Sequence, residues 1–183
     1  MVAVAPEKTG LYGLLAEFER AEDVLAAARR AHEAGYRYID AYTPFPVHGL
    51  SAALGRKRTK LPLLTLAGGL LGAATGYGMQ YYASVISYPM NVGGRPYHSW
   101  PAFLPITFEL AVLFGAFFTL LGMFALNGLP MPYHPVFNVP QFELASRSRF
   151  FLCIEARDPL FSFERTRQFL DSLPVLGVYE VEK

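Results

Sequence analysis

"LPLLTLAGGLLGAATGYGMQYYAS", residues 61–84, decides how the rest of the chain is read. No Asp, Glu, Lys or Arg occurs between Lys60 and Arg95. At about 1.5 Å per residue, a helix of this length covers a hydrocarbon core of roughly 30 Å, so the stretch predicts a membrane span. A second stretch, 103–126, is equally apolar except for one carboxylate, Glu109, inside "FLPITFELAVLF". Between them, "VISYPMNVGGRPYHSWP" (85–101) is rich in Pro and Gly. It predicts a short outer loop, about 85–100, returning the chain across the membrane. Tyr81, Tyr82, Tyr88, Tyr97 and Trp100 fit the aromatic belt at that interface.

Composition agrees with a membrane protein. Of 183 residues, 52% are hydrophobic and 17% charged, which is more apolar than an ordinary soluble domain. A net charge of +1 leaves no basic stripe for a phosphate backbone, so nucleic acid is excluded as a partner. The single cysteine, Cys153, excludes an internal disulfide, a CxxC zinc pair, a four-cysteine cluster site and a CxxCH haem attachment. The histidines His32, His48, His98 and His134 all lie outside the two spans, so a bis-His haem has no ligands within them. No P-loop, GxGxxG or GxSxG pattern is present, and no spacing of metal ligands. The chain is expected to carry no catalytic residue, no metal and no cofactor.

Charge distribution sets the expected orientation. Arg56, Lys57, Arg58 and Lys60 precede the first span, whereas the loop contains only Arg95; basic residues stay on the cytoplasmic side. The start, "MVAVAPEKTGLYGLLAEFER", has no basic segment followed by an apolar run and does not read as a signal peptide. Both termini are expected in the cytoplasm.

Within the first span, Gly68, Gly72 and Gly76 recur every four residues, so one helix face is nearly smooth and admits a close helix neighbour. In the second, Glu109 lies roughly 13 Å along the helix from Trp100. A lone carboxylate there costs several kcal/mol unless protonated or paired. It is therefore expected to face protein or water, either in an interhelical hydrogen bond or on a proton path.

The flanks read as a soluble α/β domain. "GLYGLLAEF" (10–18) has strand content, and "RAEDVLAAARRAHEAG" (20–35) places Val24, Leu25, Ala28 and Ala31 on one helical face with Gly35 as its stop. "YRYIDAYT" (36–43) alternates as a strand. After the hairpin come a strand "RFFLCIEAR" (149–157), a helix "SFERTRQFLDSL" (162–173) with Phe163, Thr166, Phe169 and Leu170 on one face, and a strand "VLGVYEVE" (175–182). Pro130, Pro132, Pro135 and Pro140 make 127–148 an extended linker lying on something. The predicted fold is an α+β membrane protein: a two-helix transmembrane hairpin (58–126) inserted in a ferredoxin-like, βαβ plus βαβ, cytoplasmic domain made of residues 1–57 and 149–183. In "PFPVHGL", Pro44 and Pro46 fix an extended chain, and His48 and Gly49 form a turn before the next helix. That turn is either a docking element for a partner or internal to the fold.

"DAYTPFPVHGL" (40–50), "WPAFLPITFEL" (100–110) and "FSFERTRQFL" (161–170), in this order around a two-span hairpin, resemble the ActD subunits of bacterial alternative complex III. Ser162 stands where that resemblance leads one to expect Asp. The resemblance implies a cofactor-free, non-catalytic membrane subunit with a structural or assembly role in a quinol-oxidising complex of the bacterial inner membrane. It also implies partners: polytopic quinol-handling subunits, and multihaem cytochrome c and iron-sulfur subunits that hold the haem c and the clusters. A membrane-anchored domain that senses a ligand or metal is the alternative reading.

Overall fold

The computed structural model describes residues 10–56 and 59–183. The expectations for the N-terminal leader (1–9) and for Lys57 and Arg58 of the basic cluster fall outside the described residues. The chain forms two compact units, one from 1–57 with 132–183 and the other from 58–131.

The first unit is a four-stranded antiparallel sheet of β1 (Leu11–Phe18), β2 (Ile39–Tyr42), β3 (Phe150–Glu155) and β4 (Gly177–Glu182), in the order β2-β3-β1-β4. β1 is central, with Leu15 opposite Cys153 on one side and Tyr179 on the other. Because β1 and β2 are each antiparallel to β3, they run parallel to one another across it, and β3 and β4 do the same across β1.

Helices α1 (Ala21–Glu33) and α5 (Phe163–Asp171) supply one layer of core. Leu14, Ala16, Phe18, Leu152 and Ile154 from the sheet pack with Val24, Ala28, Ala31 and Leu170. Each large apolar side chain removed from water in this way contributes about 1.5–3 kcal/mol. α1 is built for its place: Glu22 and Asp23 sit in its first turn and Arg30 in its last, each complementing the helix dipole. Gly35, at φ +100°, closes it: its N–H donates to His32 O while Tyr36 N–H donates to Ala31 O.

Two boundaries differ from the sequence reading. The strand expected over 36–43 begins only at Ile39, because the Asp158 carboxylate takes the N–H groups of Arg37 and Tyr38 before a ladder can. The linker expected over 127–148 is largely folded. Pro135–Asn138 and Pro140–Ser146 are 3₁₀ turns, each opened by a proline whose fixed φ suits a first helical position and whose missing N–H would be unpaired there anyway. Val136, Val139, Phe142 and Ala145 recur every third residue, the 3₁₀ period, and share one face. That face covers Leu15, Phe151, Cys153 and Val181 on the side of the sheet away from α1 and α5, so β1 is buried on both sides.

The second unit is an antiparallel helical pair. α3 (Leu61–Tyr81) continues through a π turn, Tyr82–Ser87, and α4 spans Trp100–Asn127 before Gly128 ends it at φ +67°. A short helix, α2 (Leu50–Ala53), belongs to the first unit.

Candidate functional site

The seam between α3 and α4 is made by glycine. Gly68, Gly72 and Gly76 are the buried residues of α3, and the helix lying on them is α4 of the same chain. A Cβ added at Gly72 would meet the Leu110 carbonyl, one at Gly68 would come within 2.6 Å of Phe118, and one at Gly76 within 3.1 Å of Thr107 Cα. Absence of side chains thus lets the two backbones meet directly.

Polar groups in the seam satisfy one another. Thr65 and Thr119 hydroxyls are 2.7 Å apart, and each also lies within hydrogen-bond distance of a carbonyl of its own helix, Leu61 O and Gly115 O, so that when one donates across the seam the other donates back to its own helix. Gln80 Nε2 donates to Gly76 O and to Phe103 O, both at 3.0 Å, and lies 3.4 Å from Thr107 Oγ1. At the loop end, Tyr77 OH meets His98 Nε2 at 2.6 Å, with Tyr81 and Phe103 rings around the imidazole.

Glu109 is not part of that seam. Exposed on α4, it makes no hydrogen bond or ion pair among the described residues. Its neighbour Thr107 turns toward α3. At 100° per residue, Glu109 is directed to the other side of α4. The structure therefore does not bring Glu109 together with Thr107, Thr119, Tyr77 or Gln80 into one chain of proton-carrying groups.

The 44–49 turn is anchored by its apolar members. Leu50 is buried and Val47 packs on the main core, while Pro46 and His48 are exposed and Pro44 is half-buried. Phe45 stands edge-on to Phe150, with ring centroids 5.4 Å apart. Gly49, at φ +82°, takes the left-handed conformation that starts α2, and its carbonyl accepts from Ala53 N–H at 2.9 Å.

On the sheet face covered by the 3₁₀ turns, Tyr12, Tyr42 and His134 come together. Tyr12 OH is 3.3 Å from His134 Nε2, and His134 Nδ1 accepts from Val136 N–H, capping the first turn. Burial, reinforced by Glu155, pushes the Tyr12 phenol up to about 12; burial and then Asp40 raise Tyr42 further. Asp40 itself pairs with Arg56 at 2.8 Å. The sequence signal that would have found His134 is the three-residue period of Val136, Val139 and Phe142 just after it. A hollow of about 320 Å³ lies beside α1 and α2, lined by Arg29, His32, Glu33 and Gly49. Among the described residues, no group of three or more His, Cys, Asp or Glu is placed to hold a metal ion.

The chain thus combines a mixed α/β unit with two helices long and apolar enough to cross a membrane. Residues 12–180 match the family model of the ActD subunit of alternative complex III, and the chain belongs to that family. It is thus a subunit of an electron-transfer complex, and the other subunits of that complex are its partners. No curated protein matches it.

Proposed function

We propose that this chain is a cofactor-free structural subunit that holds its complex together from within the bacterial inner membrane. The carrying observation is the outward surface of the hairpin. The two helices run 27 residues (Leu61–Ser87) and 28 residues (Trp100–Asn127), and their outer faces show Leu63, Leu66, Leu70, Phe108, Phe117 and Leu121, each more than half exposed. Water disfavours that much apolar surface, whereas lipid or another subunit accepts it. In this reading the hairpin spans the bilayer twice and both termini are cytoplasmic. The sheet order β2-β3-β1-β4, with α1 and α5 on one face, supports a ferredoxin-like cytoplasmic domain. The 44–49 turn, with Pro44, Pro46, His48 and Gly49, is a docking element at its exposed tip. Quinol oxidation, haem c and iron-sulfur chemistry belong to partner subunits. Glu109 serves the interface with one of them.

Purification of the complex from membranes through a tag on this chain tests the reading. Haem-containing and iron-sulfur polypeptides are expected to co-purify in fixed ratio with quinol-oxidising activity, and the chain alone is expected to show neither cofactor spectrum nor activity. Recovery of the tagged chain in the soluble fraction, or without redox partners, would overturn it.

A further inference from the structure

Glu109 defines a face. Residues that meet α3 in the seam, Thr107, Leu110, Phe114 and Phe118 among them, lie on one side of α4, and at 100° per residue Glu109 lies roughly 150° around from their mean direction. Ala102, Pro105, Val112, Leu113 and Ala116 share its side, and all are exposed. Ala102 and Ala116 stand one heptad before and after Glu109, leaving room on either side of the carboxylate for a closely approaching backbone.

Lipid suits every member of this face but one. Glu109 sits two to three turns into α4 and further still from its other end, too deep for a glutamate side chain to reach an interface. The hairpin offers it nothing. Neither helix contains Lys, Arg or His, the loop's Arg95 makes no ion pair with it among the described residues, the loop imidazole His98 is engaged by Tyr77, and the seam hydroxyls and amide face the other way. Among the described residues of the hairpin, no countercharge pairs with it. A carboxylate in low dielectric is best satisfied by a charge-assisted hydrogen bond, roughly twice as strong as a neutral one.

We propose that the outer face of α4, centred on Glu109 and bordered by Ala102 and Ala116, receives a transmembrane helix of another subunit that presents a Lys or Arg side chain to the carboxylate. This rests on the membrane-subunit reading above and deepens it. The helix arrives at a surface where shape and charge are both specified, so Glu109 fixes the depth and rotation at which the hairpin docks.

The test uses the full tagged chain expressed with its complex. A photoreactive benzoyl-phenylalanine in place of Leu113, a large exposed residue at the edge of that face, is expected to give, on illumination, a covalent adduct with one membrane subunit. Glu109→Gln and Glu109→Lys are expected to remain in the membrane fraction yet to recover that subunit at least about tenfold less well, since breaking one partner of a buried pair leaves the other charge unmatched. Adducts formed with lipid alone, or Glu109→Gln recovering the subunit at the wild-type level, would overturn the proposal while leaving the chain a membrane subunit. A wild-type chain absent from the membrane fraction would instead remove the reading on which it rests.

Discussion

Asp158 holds together two parts of the sheet-containing unit that the sequence places far apart. Its carboxylate accepts from Arg37 N–H at 2.6 Å, Tyr38 N–H at 2.8 Å and Leu160 N–H at 2.9 Å. Burial alone would raise its pKa, but the N–H groups of Tyr38, Arg37 and Leu160 together outweigh burial and hold it below the ordinary carboxylate range. In the unfolded chain the group titrates near 4, so its contribution is fully present above that pH and is lost as pH falls through the lower folded value. Asp158→Asn is therefore expected to destabilise the protein by about 2 kcal/mol at pH 7 and to make melting temperature less sensitive to pH on the acid side. Hydrogen exchange at the amides of Arg37 and Tyr38 should rise in the same variant, and unchanged protection there would contradict the assignment. Nothing in "EARDPLF" announces this role, since the partners are backbone groups with no side-chain signature; the alternation of Tyr36 to Tyr42 instead favours a longer strand than the one that forms. Cys153 is more legible. Central in an apolar strand and fully buried, its thiol is raised by burial and then by Glu155 and Asp40. Maleimide is expected to leave it unmodified in the folded protein and to label it after denaturation; rapid labelling without unfolding would contradict its burial.

Secondary structure elements were legible in proportion to the regularity of their period. The Gly68, Gly72, Gly76 repeat announces a close helix neighbour, but a repeat on one helix carries no name for its partner; the seam with Leu110, Phe114 and Phe118 supplies it. Gly72→Ile is expected to force α3 and α4 apart, because its Cβ would meet backbone rather than a yielding side-chain tip, and to lower the melting temperature in detergent by several degrees. Gly78→Ala, where an added Cβ meets nothing within 4 Å, is expected to melt as the wild type or slightly higher. Equal behaviour of the two variants would show that the seam does not depend on backbone contact. The 3₁₀ turns were hidden for the opposite reason: prolines signal the end of helices and sheets, and the three-residue recurrence of Val136, Val139, Phe142 and Ala145 fits neither 3.6 nor 2. Ser162, at the start of α5, makes no side-chain cap bond, while its own N–H donates to Thr166 Oγ1 at 3.2 Å.

For the whole molecule, the silence of Cys153 makes topology easy to read. With the native thiol buried, Val92→Cys, in the exposed loop between the helices, is expected to react with a membrane-impermeant maleimide added to intact spheroplasts; protection there and labelling only after lysis would reverse the proposed orientation. The sheet carries a further consequence. All three strand pairings, β1 with β3, β1 with β4 and β2 with β3, join a strand made before the hairpin to one made after it, and Phe18 and Phe150 meet roughly 130 residues apart in sequence. Among the described residues, neither half contains a strand pair of its own. During synthesis, β1, α1 and β2 must wait, open-edged, while the hairpin is made, and pair only when β3 and then β4 emerge. The finished sheet is in that sense a receipt for passage beyond the hairpin: a nascent polypeptide stalled anywhere before β3 still shows its unpaired strands to proteases, and only one carried through β4 withdraws them.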